Sequence, residues 1–224
     1  MDKSQFLNLL ATKEPEAIIR TLSMMAFNPA IGRVLEEGSV DGFADLMVET
    51  VPKFYGFVTR EHFELVHSEA CNRILSSFKT TRAEDPSYGQ AQKPLNVLLK
   101  VYVDFASRPD RELAQKLAPL LHVPLDSVLM KFVKREFPED YENRIGRLRR
   151  QLLDRFSQRL APISNPRTLA RGLLGNEFSL AAINKEIYLA WQALFWSLYA
   201  AKPVARDIFW ILERIRIRTN ASTA

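Results

Sequence analysis

The sequence holds one cysteine, Cys71, and three histidines in 224 residues. A single thiol rules out a disulfide framework and a cysteine-based metal site. With so few imidazoles, a Ser-His-Asp or Cys-His arrangement is hard to assemble. No H-E-x-x-H, Walker A or G-x-G-x-x-G pattern occurs, so neither a metal nor a nucleotide cofactor is expected. No apolar run approaches the ~18 residues that a membrane span needs. The N-terminal "MDKSQFLNLL" lacks a signal-peptide layout. These absences lead to the expectation of a soluble, cytoplasmic protein with no membrane partner and no obligate protein partner. Strand pairs joined by a turn signal are missing as well.

Helical periodicity is present almost everywhere. "EHFELVHSEACNRILSSF" sets Phe63, Val66, Ala70, Ile74 and Phe78 at three- and four-residue steps. "PLNVLLKVYVDFAS" does so with Leu95, Leu98, Leu99, Tyr102 and Phe105. "NRIGRLRRQLLDRFSQRL" does so with Ile145, Leu148, Leu152, Phe156 and Leu160, and its other faces are basic. "SLAAINKEIYLAWQALFWSLYA" reads as one long buried helix, with Trp191 and Trp196 in the core, and "PVARDIFWILERIRIR" closes the chain. Loops are expected at 80–92, 107–111 and 161–167. The fold class is all-α, with eight to ten helices.

Charge is uneven. Residues 1–60 carry six Lys/Arg against eight Asp/Glu, whereas residues 131–171 carry eleven against five. A basic region on a near-neutral body suits a polyanion, nucleic acid above all. It also suits a solvated helix face laced with ion pairs.

Two stretches carry candidate chemistry. In "SYGQAQKPLN", Pro94 is expected at the first position of a helix, where its missing N–H is harmless. Lys93 would then sit at the positive end of that helix, which favours the neutral, nucleophilic amine. In "LLHVPLDSVLM", Asp126 opens another helix and reads as an N-cap. Arg60 and His67 fit the short R-x(4–6)-H pattern of HEPN-type ribonucleases. A buried histidine that satisfies local hydrogen bonds is the simpler reading of His67.

Taken in order, these stretches resemble the helix-hairpin-helix superfamily of DNA N-glycosylases, and within it the archaeal 8-oxoguanine glycosylase branch. The matching residues are Gln92-Lys93-Pro94, Lys100 seven positions on, Pro124-Leu125-Asp126, and "KPVARDIFW" with Pro203, Asp207 and Trp210. They cover roughly a fifth of the chain. Pro94 stands where the family has threonine, and the expected hairpin lacks a clean G-x-G.

The resemblance implies one glycosylase-like unit with two helical subdomains flanking a cleft, approximately 1–80 plus 165–224 and 81–164. It implies Lys93 as nucleophile toward C1′ and Asp126 as the carboxylate that stabilises positive charge on the sugar or orients Lys93. Lys100, Asp207 and Trp210 would bind the flipped base. Tyr88, Gly89 and Gln90 in the hairpin, with Arg144, Arg147, Arg149 and Arg150 on the basic helix, would grip duplex DNA containing a modified base. A non-catalytic helical nucleic-acid-binding protein is the alternative.

Overall fold

The computed structural model describes residues 14–159, 176–200, 202–204 and 208–222. Among them the chain is all-helical, with one isolated bridge between Leu35 and Thr80 in place of any sheet. None of the described helices is long and apolar enough to cross a membrane. The chain divides into two compact units. Unit 1 is 1–86 with 91–121, and unit 2 is 87–90 with 122–224. This grouping differs from the expected one, which joined 1–80 to 165–224.

Unit 1 begins with α1, Pro15–Ile31, whose proline occupies the first turn. Gly38, at φ 84°, turns the chain into α2, Ser39–Thr50; only glycine takes this left-handed backbone at no steric cost. α2 packs on α1, with the rings of Phe27 and Phe43 5.2 Å apart. A 3-10 turn, Val51–Tyr55, leads to α3, Arg60–Ser77. Thr59 caps α3 by accepting from the His62 N–H at 3.2 Å. Phe63, Val66, Ala70, Ile74 and Phe78 are all buried, as their spacing predicts.

The next helix, α4, spans Tyr88–Leu99 and starts earlier than its proline suggests. The Ser87 N–H donates to Gln90 Oε1 at 2.7 Å, and the Gln90 N–H donates to Ser87 Oγ at 3.2 Å. This reciprocal capping box satisfies first-turn amides and nucleates the helix at Tyr88. Pro94 is therefore inside α4, and no hairpin forms at 80–92. Past Leu99 the helix widens into a π segment, Lys100–Phe105, with the Ala106 N–H donating to Val101 O. One extra residue in a turn sets the following positions back by about 100°. Leu95, Leu98, Leu99 and Tyr102 are buried, but Phe105, expected on the same face, is 68% exposed. Unit 1 ends with α5, Arg111–Leu117, capped by Asp110, which accepts from the Leu113 N–H at 2.9 Å.

Unit 2 contains α6, Ser127–Glu136; α7, Pro138–Tyr141; a second π segment, Glu142–Gly146; and α8, Arg147–Arg159. α9 runs Lys185–Leu198 and α10 runs Ile208–Ser222. The single long helix expected over 179–200 does not form. Asn184 caps α9 through the Ile187 N–H at 2.8 Å, and Leu180–Ala182 ahead of it is a 3-10 turn. Trp191 is buried as expected, while Trp196 is only partly covered. Gly89, at the start of α4, lies tight against this turn. A Cβ there would stand 2.4 Å from Leu180 O and 2.6 Å from Ile183 Cβ.

Candidate functional site

The two lysines of the candidate site emerge on one stripe. Along α4 and the π segment, Lys93, Val97, Lys100 and Asp104 are half-buried, and the residues between them are almost all buried. Positions three, four and seven apart share a helix face, so the pattern leaves one line of access to an otherwise enclosed helix. Lys100 stands over the Phe105 ring, 5.1 Å from its centroid. π turns recur at functional sites, and this one begins at Lys100. Lys93 occupies the second turn of α4. The helix-end field expected on its ammonium acts instead on Tyr88–Gln90, because that field fades beyond the first turn.

Asp126 is the N-cap of α6, and its Oδ1 accepts from the Leu129 N–H at 2.9 Å. The segment before it is held from α9. The Gln192 side chain accepts from the Val123 N–H at 2.8 Å and donates to Val123 O at 2.9 Å. His122 Nδ1 lies 2.7 Å from the Tyr188 hydroxyl. A side-chain amide here pairs with extended backbone as a neighbouring strand would, which fixes the approach to the cap. Lys93 belongs to unit 1 and Asp126 to unit 2.

The other candidates divide. Trp210 is partly covered, with the Arg214 guanidinium 5.0 Å above its ring. Asp207 lies outside the described residues. Tyr88 is 6% exposed. The Gly89 N–H donates to Ile183 O at 2.9 Å, and Gln90 is committed to the capping box. These three are packing and capping residues, so the phosphate-gripping hairpin expected there is replaced by a helix start. Of the four arginines, Arg144 and Arg147 are exposed. Arg150 is exposed and ion-paired to Glu142. Arg149 is 7% exposed and faces the interior of unit 2, a correction to its expected place on a DNA-facing surface.

Inside unit 2, Arg149 contributes to a charged cluster. Glu177 accepts from Lys134 Nζ at 2.6 Å and from the Tyr141 hydroxyl at 2.7 Å. Burial works against the Glu177 carboxylate, but these bonds and the Lys134 and Arg149 charges outweigh it and hold it below the usual range. Tyr141 is pushed up, by burial first and then by its bond to Glu177. A cavity of about 510 Å³ lies beside this cluster, lined by Lys134, Pro138, Glu139, Tyr141, Glu142 and Asn143. A second cluster joins α6 to α10. Both Glu213 oxygens accept from Arg135, at 2.9 and 2.8 Å, and from Arg216, at 2.7 and 2.8 Å. Among the described residues of 131–171, Lys134, Arg135 and Arg150 are ion-paired, and Lys131, Arg144, Arg147 and Arg155 are exposed.

Unit 1 holds an arrangement that the sequence reading discounted. Cys71 Sγ lies 3.8 Å from His67 Nδ1, and His67 Nε2 lies 2.8 Å from Asn96 Oδ1. Asn96 Nδ2 donates to Gln92 Oε1 at 2.7 Å. The bonds take one self-consistent direction, with the thiol donating to the imidazole, the imidazole to Asn96, and Asn96 to Gln92. Thiol, imidazole and amide occur in the order of a nucleophilic site, but all four residues are at most 1% exposed. A substrate cannot reach them, so their role is structural, and His67 is the satisfied core histidine that its helix position suggests. The four-residue steps His67–Cys71 and Gln92–Asn96 were the available signal.

Among the described residues no group of three or more His, Cys, Asp or Glu could hold a metal ion. Compared with family models, curated proteins and solved structures, the chain matches none.

Proposed function

We propose that this chain is a DNA N-glycosylase that flips and excises a modified base and leaves an abasic site. The substrate class is an oxidised guanine or a hypermodified phage base such as glucosylated hydroxymethylcytosine. The observation that carries the reading is the single accessible stripe of Lys93 and Lys100 on an otherwise buried helix. The ordered motifs around Lys93, Asp126 and Trp210 support it.

A base inside a duplex is out of reach, so it is extruded at a cost of a few kcal/mol. Contacts from Arg144, Arg147 and Arg155 to backbone phosphates offset that cost. The Lys93 amine, once it has given up a proton, attacks C1′. Its lone pair forms the new C–N bond as the glycosidic bond breaks, and the bonding pair leaves with the base, which takes up a proton. Opening of the sugar ring gives an iminium, from which β-elimination can cut the strand. The Asp126 carboxylate stabilises the positive charge that builds on the sugar, and Lys100 and Trp210 contact the base.

A second reading has an observation of its own. Asp126 already serves as a helix cap and Lys93 lies inside a helix, as they would in a protein that binds nucleic acid without chemistry.

The two separate in one assay. The protein is incubated with unmodified duplex, with 8-oxoguanine and uracil duplexes, and with phage DNA carrying hydroxymethylated or glucosylated cytosine. Borohydride is added, and abasic sites and covalent adducts are scored. Asparagine caps a helix as well as aspartate does, within a few tenths of a kcal/mol. Asp126→Asn therefore keeps the fold and removes the charge. Abasic sites on one substrate, lost in Asp126→Asn at unchanged melting temperature, with the adduct lost in Lys93→Gln, are the expected result. Binding without abasic sites on any substrate establishes the non-catalytic reading.

A further inference from the structure

α10 has two faces of opposite character. One packs on α6: Phe209 lies between the rings of Phe132 and Phe137, at 4.8 and 5.9 Å, and buried Glu213 is clamped by Arg135 and Arg216. The other carries Ile208, Ile211, Leu212 and Ile215, which are 54, 50, 48 and 57% exposed. At 100° per residue these four fall within about 100° of one another, nearly opposite the packed face, and extend for about 10 Å. Isolated exposed apolar residues are ordinary, but a contiguous ridge marks an interaction surface.

Charge identifies what fits it. Arg218 and Arg214 border the ridge on one side and Arg216 on the other, and all three are exposed. The one acid of the helix, Glu213, is only 4% exposed. Two copies of this face would bring arginine against arginine, and the helix's one acid is buried and already taken by Arg135 and Arg216. An apolar face edged by arginine also suits a bilayer surface, but the large aromatics of this helix lie off the ridge: Phe209 is buried and Trp210 points away from it, with Arg214 over its ring. Apolar positions at i, i+3, i+4 and i+7 match the seam of a helix pair, where bordering charges choose the partner. We infer that this face of α10 docks an amphipathic helix of another protein, whose apolar ridge is edged by aspartate or glutamate. The inference stands apart from the proposed DNA chemistry and uses none of its residues.

The test uses the full chain and two labelled 21-residue helical peptides. Both have leucine at a and d; one has glutamate at e and g, the other lysine. In anisotropy titrations the glutamate peptide binds, and the lysine peptide binds more weakly by about tenfold or more. Ile211→Ser with Ile215→Ser weakens the glutamate peptide by about tenfold or more. Arg214→Glu with Arg218→Glu reverses the preference. Leu189→Ser, an exposed leucine on α9, changes nothing. All these positions are exposed, so the variants are expected to fold, which circular dichroism checks. Equal binding of the two peptides overturns the inference, as does binding of neither. So does sedimentation that shows a dimer lost in the Ile→Ser variant, or binding of that face only to phosphatidylcholine–phosphatidylglycerol vesicles.

Discussion

The two units keep polar groups inside in different ways. In unit 1 the interior chain Cys71–His67–Asn96–Gln92 is neutral and fully enclosed. Unit 2 has neutral pairs of this kind as well, His122 with Tyr188 and Gln192 with Val123, but it also takes charge inward: Glu213 is buried and Glu177 half-buried, each held by cations that reach the surface. The Lys134 and Arg135 side chains are 46% and 38% exposed, against 29% for the side chain of Glu177 and 5% for that of Glu213. An enclosed neutral group needs only its hydrogen bonds, whereas an enclosed charge needs an opposite charge that stays partly in water. The difference decides which damage each unit can absorb. A lost partner in unit 1 has no solvent to replace it. A lost cation beside Glu177 or Glu213 can be replaced in part by water.

The largest expected effect is in unit 1. Asn96→Ala strands the His67 N–H and the Gln92 carbonyl in the core and costs about 2–5 kcal/mol, read from the urea midpoint. A cost below about 1 kcal/mol would mean that water enters this core and would erase the contrast.

Glu213→Gln comes next, at about 1–2 kcal/mol at neutral pH. Its pH dependence sharpens the comparison. Hydrogen bonds from Arg216 and Arg135 hold the Glu213 carboxyl down at about 2, from an ordinary 4.5. A depressed carboxyl stabilises the fold above its unfolded value, and that stability is lost as pH falls through the folded one. The gap between native protein and Glu213→Gln therefore narrows as pH drops from 4.5 towards 2; a gap independent of pH would show that Glu213 does not act as a charge.

The smallest effect is Lys134→Met, about 0.5 kcal/mol, because Lys134 is nearly half exposed and Tyr141 still donates to Glu177. The Glu177 carboxyl should titrate higher in this variant, which carbon-detected NMR would follow.

Some local signals in the sequence read correctly; others, and the long-range ones, did not. α3 was legible because Phe63, Val66, Ala70 and Ile74 keep one face. Asp126 was legible as a cap because the Pro-Leu-Asp-Ser stretch ends in extended backbone before an apolar run. The start of α4 was misplaced because Pro94 outweighed Ser87 and Gln90, whose capping box is equally local. Asn184 breaks the apolar stretch 179–200 for the same kind of reason. The meeting of His67 with Asn96 crosses 29 positions and leaves no periodic trace. Within the candidate site, the seven-residue step from Lys93 to Lys100 predicts a shared face. The burial of Arg149 was not legible, since nothing in an arginine-rich helix says which arginine turns inward.

The π segment at Lys100–Phe105 has a consequence for how this chain tolerates change in length. Its wide turn holds one residue more than a regular turn would, bonded Ala106 to Val101. Removing one residue there would let the backbone close into a regular turn, with Leu95, Leu98 and Leu99 still inward. The same removal in the middle of α3 would swing Ala70 and Ile74 off the core and unfold the unit. The segment is a slack link, the place along this helix where the chain can lose a residue and keep its register.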